Sequence, residues 1–185
     1  MKPFRLPLAS LVVTFSFQLS ASAEVRFPGF FGDHMVFQRD KPIPVWGWAE
    51  VGEEVRVQLG DGSAMVAKAD AQGQWRVELP AMEAGGPHEM TVSATNKLTV
   101  RDVLIGEVWL CSGQSNMQWT VAQSLNPEEE IAAATDSLIR QVEIPRTLTD
   151  IPNDDVKATW KVCSPDTAGT FTAVGYFMAR ELRKE

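Results

Sequence analysis

The sequence predicts a chain in two parts: an N-terminal antiparallel β-sandwich, then the beginning of an α/β domain. Three observations predict it. Between positions 24 and 101, short runs alternate apolar and polar residues and are separated by turn residues, the pattern of half-buried strands whose side chains point to opposite faces in turn. VLIGEVWLC at 103–111 is apolar almost throughout, as expected of a strand covered on both faces in a parallel sheet. After it, helix-like and strand-like segments alternate, which is the order of an α/β domain.

The first 23 residues are a different material. Lys2 and Arg5 give a positive start, the stretch from Leu6 to Leu19 is mostly apolar, and Ala21-Ser22-Ala23 offers small residues for cleavage. This is the composition of a secretory signal peptide cut after Ala23, so the protein is expected to be exported, whether periplasmic, secreted or otherwise extracytoplasmic. The apolar run falls short of the ~20 residues that a bilayer-spanning helix needs. No other stretch is apolar enough, so no integral membrane span is expected after cleavage. Losing Lys2 and Arg5, and no acid, takes the formal charge from -7 to -9. That acidity excludes nucleic acid and anionic membrane surfaces as partners, because both would repel it. With 44% hydrophobic residues, 22% charged residues and six tryptophans, the chain carries enough apolar area for a packed core, and disorder is excluded.

Within residues 24–101, EVRVQL (54–59) and WRVEL (75–79) alternate strictly. The neighbouring Gly60-Asp61-Gly62 and Ala71-Gln72-Gly73-Gln74 are turn chemistry. PIPVWGWA (42–49) places Trp46 and Trp48 on one face, while Pro42 and Pro44 confine it to an edge or a strand start. HEMTVSA (88–94) follows a further turn, Gly85-Gly86-Pro87. Short strands at regular spacing, joined by turns, define a sandwich.

Within residues 102–185, Asn126-Pro127-Glu128-Glu129-Glu130 has the marks of a helix start: an N-cap, proline at the first helical position, and carboxylates at the positive end of the dipole. LIRQVEI (138–144) resembles a strand ended by Pro145, and VKATWKV (156–162) a short strand or extended segment. Thr170 or Thr172 caps a last helix with Val174, Phe177, Met178 and Leu182 on one face. So few strands cannot cover both faces of a doubly wound sheet, so this second part is expected to be the truncated start of its domain.

VWLCSGQSNMQWTV (108–121) runs an apolar strand straight into a knot of small and amide side chains. In α/β sheets, ligands sit beyond the carboxyl ends of the strands, and the first strand-to-helix turn is a favoured place for chemistry. Ser115 occupies that turn if the strand ends near Cys111 or Ser112. Gly113 frees the backbone for a tight bend, and the amides that follow can converge on one point, as an oxyanion hole requires. On composition alone, Ser-Gly-Gln-Ser-Asn also reads as a polar turn capping the next segment. Met117 stands where the G-x-S-x-G elbow has its second glycine, which disfavours an ordinary α/β-hydrolase.

DVLIGEVWLCSGQSNMQW closely resembles the first block of the sialate O-acetylesterase family, within the SGNH hydrolase superfamily of serine esterases. The likeness extends to FGDHMVFQRDKPIPVWGWA, LPAMEAGGPHEMTV and WKVCSPDTAGTFTAVGYFMARELRKE, which makes it far more specific than a five-residue motif. The resemblance implies an incomplete SGNH α/β domain after the sandwich, with Ser115 as nucleophile and its backbone N–H as one oxyanion donor. Gln114 and Asn116 would position the site, and Trp119, four residues on, would line the substrate pocket. It further implies attack on an acetyl ester of a sugar hydroxyl, an acetyl-enzyme, and release of acetate by water, with no cofactor and no metal. In this superfamily the histidine and aspartate that activate the serine, and further Gly and Asn oxyanion donors, lie well downstream. No such block appears before Glu185, so this chain alone is expected to have little or no esterase activity.

His34 (GDHMVF) and His88 (GGPHEM) lie in the first part, neither with a nearby acid in a triad-like arrangement, and are expected to be structural or solvent-facing. Asp102 and Glu107 flank the central strand as exposed ends or salt-bridge partners. Cys111 and Cys163 are either a disulfide or two buried thiols, and their spacing with two isolated histidines makes no metal site. Core packing is the default for the tryptophans. The reading that competes with an esterase is a non-catalytic β-sandwich module that binds glycan or packs against a partner, its hydrolase segment a remnant. Oligomeric state and the acetylated sugar are not legible in the residues.

Overall fold

The structure, a computed structural model, describes residues 24–184, and the predicted signal peptide lies outside the described residues. Strand-forming runs give β1 (Val36–Gln38), β2 (Ile43–Trp48), β3 (Glu54–Leu59), β4 (Met65–Lys68), β5 (Gln74–Leu79), β6 (Gly85–Ser93) and β7 (Lys97–Gly106). Five of them form a curled sheet in the order β1-β7-β6-β3-β4, and β2 pairs with β5 in a separate ladder. The strict alternation of EVRVQL fixes which face turns inward: Val55, Val57 and Leu59 are buried while Glu54 and Arg56 are exposed. WRVEL does the same in β5, burying Trp75, Val77 and Leu79. The inward faces of the sheet and the β2–β5 ladder share one apolar core with Val25, Phe31, Met90, Val92 and Val103. Each fully buried Val, Ile or Leu side chain there contributes about 1.5–3 kcal/mol.

The sheet is mixed, where the sequence predicts an antiparallel one. β1 runs parallel to β7, Val36 opposite Leu104 through Gln38 opposite Gly106. Three residues are too few to show a period, so VFQ carries no strand signal of its own. β7 runs without a break through residues 101 and 102. Between the pairs His88–Val103 and Met90–Val100 it carries one extra residue relative to β6, a bulge in which Asp102 takes a left-handed backbone, φ 57°, a conformation that aspartate tolerates better than most residues.

That bulge aims the Asp102 carboxylate out of the ladder, where it pairs with Arg140 at 2.8 and 3.2 Å and with His34 Nδ1 at 2.6 Å. His34 therefore does have an acid beside it, contrary to the sequence expectation, because two segments 68 positions apart meet at the sheet edge. The hydrogen bond from Arg140 is the main cause that holds the Asp102 carboxyl below the usual carboxylate range, against the opposing effect of burial, with His34 adding to the lowering. The Arg140 side chain is only 4% exposed, so it depends on this partner. Asp102→Asn is expected to cost roughly 2–3 kcal/mol, below the value for a fully buried pair because the carboxylate is partly solvated. A carboxylate with a depressed folded-state pKa contributes stability above its unfolded value of about 3.9 and loses it as pH falls through the lower folded value. The gap between wild type and Asp102→Asn in denaturant titrations should thus stay constant above about pH 5 and shrink in more acid solution.

The second part is built of short elements: α1 (Ser115–Gln118), α2 (Pro127–Ala132), β8 (Arg140–Val142), β9 (Trp160–Val162) and α3 (Ala173–Leu182), with 3-10 turns at Val121–Gln123 and Ala168–Thr170. Val121, Ile139, Cys163, Phe171 and Tyr176 form its small core. It is fastened to the first part by Trp160 Nε1, which donates to the Phe30 carbonyl at 2.9 Å, and by Asp155, which accepts from the Gly29 amide at 2.9 Å and from Arg26 at 3.1 Å.

Several expectations for this part are corrected. β8 and β9 pair antiparallel, not as strands of a parallel sheet. Asn126 sits at the N-cap of α2 but in a left-handed conformation with no side-chain cap, although Pro127 and three glutamates open the helix as predicted. Thr172 occupies the N-cap of α3, also without a side-chain cap. α3 buries Ala173 and Tyr176, while Val174 and Leu182 are exposed. Of the stripe chosen from spacing alone, Phe177 packs against the small core, and only Val174 and Leu182 are turned out. Cys111 and Cys163 are free thiols. The alternative of two buried thiols holds only for Cys163, since Cys111 is half-buried.

Candidate active site

β7 ends at Gly106, and the chain continues through residues 107–113 as an extended ribbon without ladder partners among the described residues. Gln38 anchors its start, accepting from the Val108 amide at 2.9 Å and donating to Glu107 at 3.0 Å. Val108, Trp109 and Leu110 are 45%, 58% and 90% exposed. The sequence predicts 103–111 as one interior strand; only residues up to Gly106 are sheet, and they belong to the first part's sheet. Interior burial of a parallel strand comes from flanking strands, and none of the described strands pairs with 107–111. The apolar run is uncovered for that reason.

The ribbon then folds sharply. A Cβ on Gly113 would lie 2.6 Å from Met117 Cγ, so a side chain at 113 would collide with the turn that follows. The Met117 amide donates to the Gln114 carbonyl at 2.9 Å, closing the single turn of α1. Ser115 is the first residue of that turn and is exposed, its side chain without a hydrogen bond to a described residue. Gln114 stands at the N-cap without a side-chain cap, and Asn116 is exposed beside the serine. Trp119 follows at the end of the turn, half-exposed, its Nε1 fixed to the Gln123 carbonyl at 2.7 Å.

A groove of about 450 Å³ runs along this ribbon, with Cys111, Ser112, Gly113 and Gln114 on one side and Val142, Tyr176 and Met178 among the residues opposite. Ser115, Asn116 and Trp119 do not line it; the serine stands beside the groove through its neighbours Gly113 and Gln114. Two features that spacing did not reveal hold the ribbon. Gly175 lets α3 approach, since a Cβ there would meet Cys111 Sγ and Thr172 Cγ2 at 2.9 Å each. The exit of α1 is tied to the start of α3 by bonds from the Ala173 amide to the Trp119 carbonyl at 2.8 Å and from the Val121 amide to the Phe171 carbonyl at 3.0 Å. A glycine inside a helical pattern was the one available signal for Gly175.

Neither histidine is hydrogen-bonded to Ser115. His34 is engaged with Asp102 and Arg140 as described, and His88 packs over Gly60, where an added Cβ would stand 3.0 Å from its Nδ1. Among the described residues no cluster of His, Cys, Asp or Glu could hold a metal ion, and no helix is long and apolar enough to cross a membrane. Burial pushes the Cys163 thiol up, away from nucleophilic chemistry.

No family model matches the chain. A solved carbohydrate acetylesterase from Xanthomonas citri superposes with a TM-score of 0.84 and 44% identity, covering 86% of this chain and 37% of that one. The fold of this chain is therefore the fold of the corresponding part of that protein. Curated relatives narrow the class. Rat sialate O-acetylesterase is 34% identical over 184 residues, covering 90% of this chain, and the mouse enzyme is 36% identical over 139 residues, covering 68%. The chain belongs to the sialate O-acetylesterase family, and it spans 33% of the rat protein's length and 26% of the mouse protein's.

Proposed function

We propose that this chain carries the nucleophile of an exported carbohydrate O-acetylesterase, as a β-sandwich followed by the first part of an SGNH domain, residues 24–101 and 102–185 in turn, behind a cleaved signal peptide at 1–23. The observation that carries it is the open presentation of Ser115 at the start of α1, beside the groove, in a chain whose relatives act under the name acetylesterase. Ser115 Oγ attacks the acetyl carbonyl of an O-acetylated sugar while its proton passes to a base. The tetrahedral oxyanion accepts a hydrogen bond from the Ser115 N–H, and the sugar alcohol departs with a proton. Water then attacks the acetyl-enzyme and acetate leaves. Gln114 and Asn116 border the reacting carbonyl, and Trp119 offers an aromatic edge to the sugar.

The base is not His34. Its Nδ1 contacts an aspartate that Arg140 already neutralises, an arrangement that fastens two parts of the chain together. The activating histidine that this reading requires, with its acid, is therefore other than His34 and His88. Trapping tests the assignment: the full reading-frame product is incubated with an activated acetate ester and quenched in acid, and the peptides are weighed. The acetyl group is expected on Ser115. Turnover with acetyl found only on another residue would overturn the reading.

A further inference from the structure

The β2–β5 ladder has a second face that the core does not use. Ile43, Val45 and Gly47 point inward, leaving Trp46 and Trp48 partly exposed on the outside. Opposite them in register stand Arg76 and Gln74, both exposed. These side chains border an open groove of about 420 Å³, whose margins are completed by Lys68, Asp70 and Asp154. Trp46 packs in part against the core, so the ring surface that it and Trp48 turn toward the groove is what that packing leaves uncovered.

We propose that this groove is a subsite for a neutral glycan chain, separate from Ser115. Alternate residues of one strand face lie about 7 Å apart, of the order of one sugar ring, so consecutive sugars can set their C–H faces on Trp46 and Trp48. An indole supplies apolar area with little rotamer entropy to lose. Trp46 is held against Phe30 and Phe31, with ring centroids 5.7 and 4.8 Å away, and Arg26 stacks on Trp48 at 4.0 Å while itself bound to Asp155. The platform is thus set before a ligand arrives, which lowers the cost of binding. Gln74, Arg76, Asp70 and Asp154 bring both donors and acceptors to the rim, as hydroxyl groups require. The cations Lys68 and Arg76 balance the anions Asp70 and Asp154, and that balance selects an uncharged sugar over a sialylated one.

The inference is independent of the esterase chemistry, and the experiment keeps them apart. Cellohexaose, xylohexaose and sialyllactose are titrated into the full chain while tryptophan fluorescence is followed. Saturable binding of at least one neutral hexasaccharide is expected, with sialyllactose at least tenfold weaker. Trp48→Ala is expected to weaken binding at least tenfold with an unchanged circular dichroism spectrum, and Ser115→Ala to leave it unaltered. Should Trp48→Ala unfold the chain, Arg76→Ala and Gln74→Ala, both on exposed positions, are each expected to weaken binding at least threefold. No saturable binding of either neutral probe overturns the proposal. So does binding that persists in Trp48→Ala, that favours sialyllactose, or that disappears with Ser115→Ala.

Discussion

Ser115→Ala in the full reading-frame product is expected to lower acetate release from O-acetylated sugars by a factor of about 10⁴ or more, with sugar binding little changed. Only the Oγ is removed. The Ser115 side chain is exposed, makes no hydrogen bond with a described residue and opens a single helical turn, so alanine fits the same backbone without leaving a cavity or an orphaned partner. The loss therefore falls on kcat. An acyl-transfer site without its nucleophile keeps binding and oxyanion stabilisation but cannot form the covalent intermediate. Steady-state acetate release, with thermal unfolding as a control, is the check. Full turnover by the alanine variant, or a matching loss of stability, would remove Ser115 from the mechanism.

Gly47→Ala is expected to be the most damaging single methyl group in the first part. Arg26 and Trp48 exchange backbone bonds of 2.8 Å in both directions, which draws the segment at 26–27 directly across Gly47. A Cβ at 47 would penetrate the Arg26 carbonyl oxygen and stand 2.9 Å from both Phe27 Cα and a ring carbon of Trp75. Two of those neighbours are backbone and the third is a buried indole, so none can swing aside. Overpacking commonly costs 1–3 kcal/mol; with rigid atoms on every side, about 3 kcal/mol or more is expected. In a domain of this size that lowers Tm by roughly 6–12 °C. Calorimetry on the variant tests it, and a Tm within about 2 °C of wild type would show that the crossing segment can lift away.

The elements that sequence reading placed well are those whose burial is local and periodic. β3 coincides with EVRVQL at both ends and β5 exceeds WRVEL by one residue, because alternation along a strand states directly which side chains face a core. The helix opening at Pro127 was equally legible, since proline and the three glutamates act within one turn. Ser115 was singled out by the abrupt change from apolar to small and amide residues, and the structure exposes it. What failed were inferences that needed a neighbour. Residues 107–111 look like an interior strand by composition, yet composition records what a segment is suited to lie beside and not what does lie there. The α3 stripe held only in part: Phe177 packs against the small core, whereas Val174 and Leu182 are exposed, because the helix has apolar residues on more than one side.

The sequence by itself determined the inward faces of β3 and β5, the position of the turn that holds Ser115, and the family, because these depend on residues close together in the chain or on the order of a long string. Tertiary structure alone decided that β1 joins the sheet in parallel, that Arg140 meets Asp102 and His34 across 38 and 106 positions, and that Gly47 and Gly175 are sites of close approach. Each of these is a contact between segments whose separation in sequence carries no record of their meeting. Their energies come from desolvation and close packing, which exist only once both surfaces are in place.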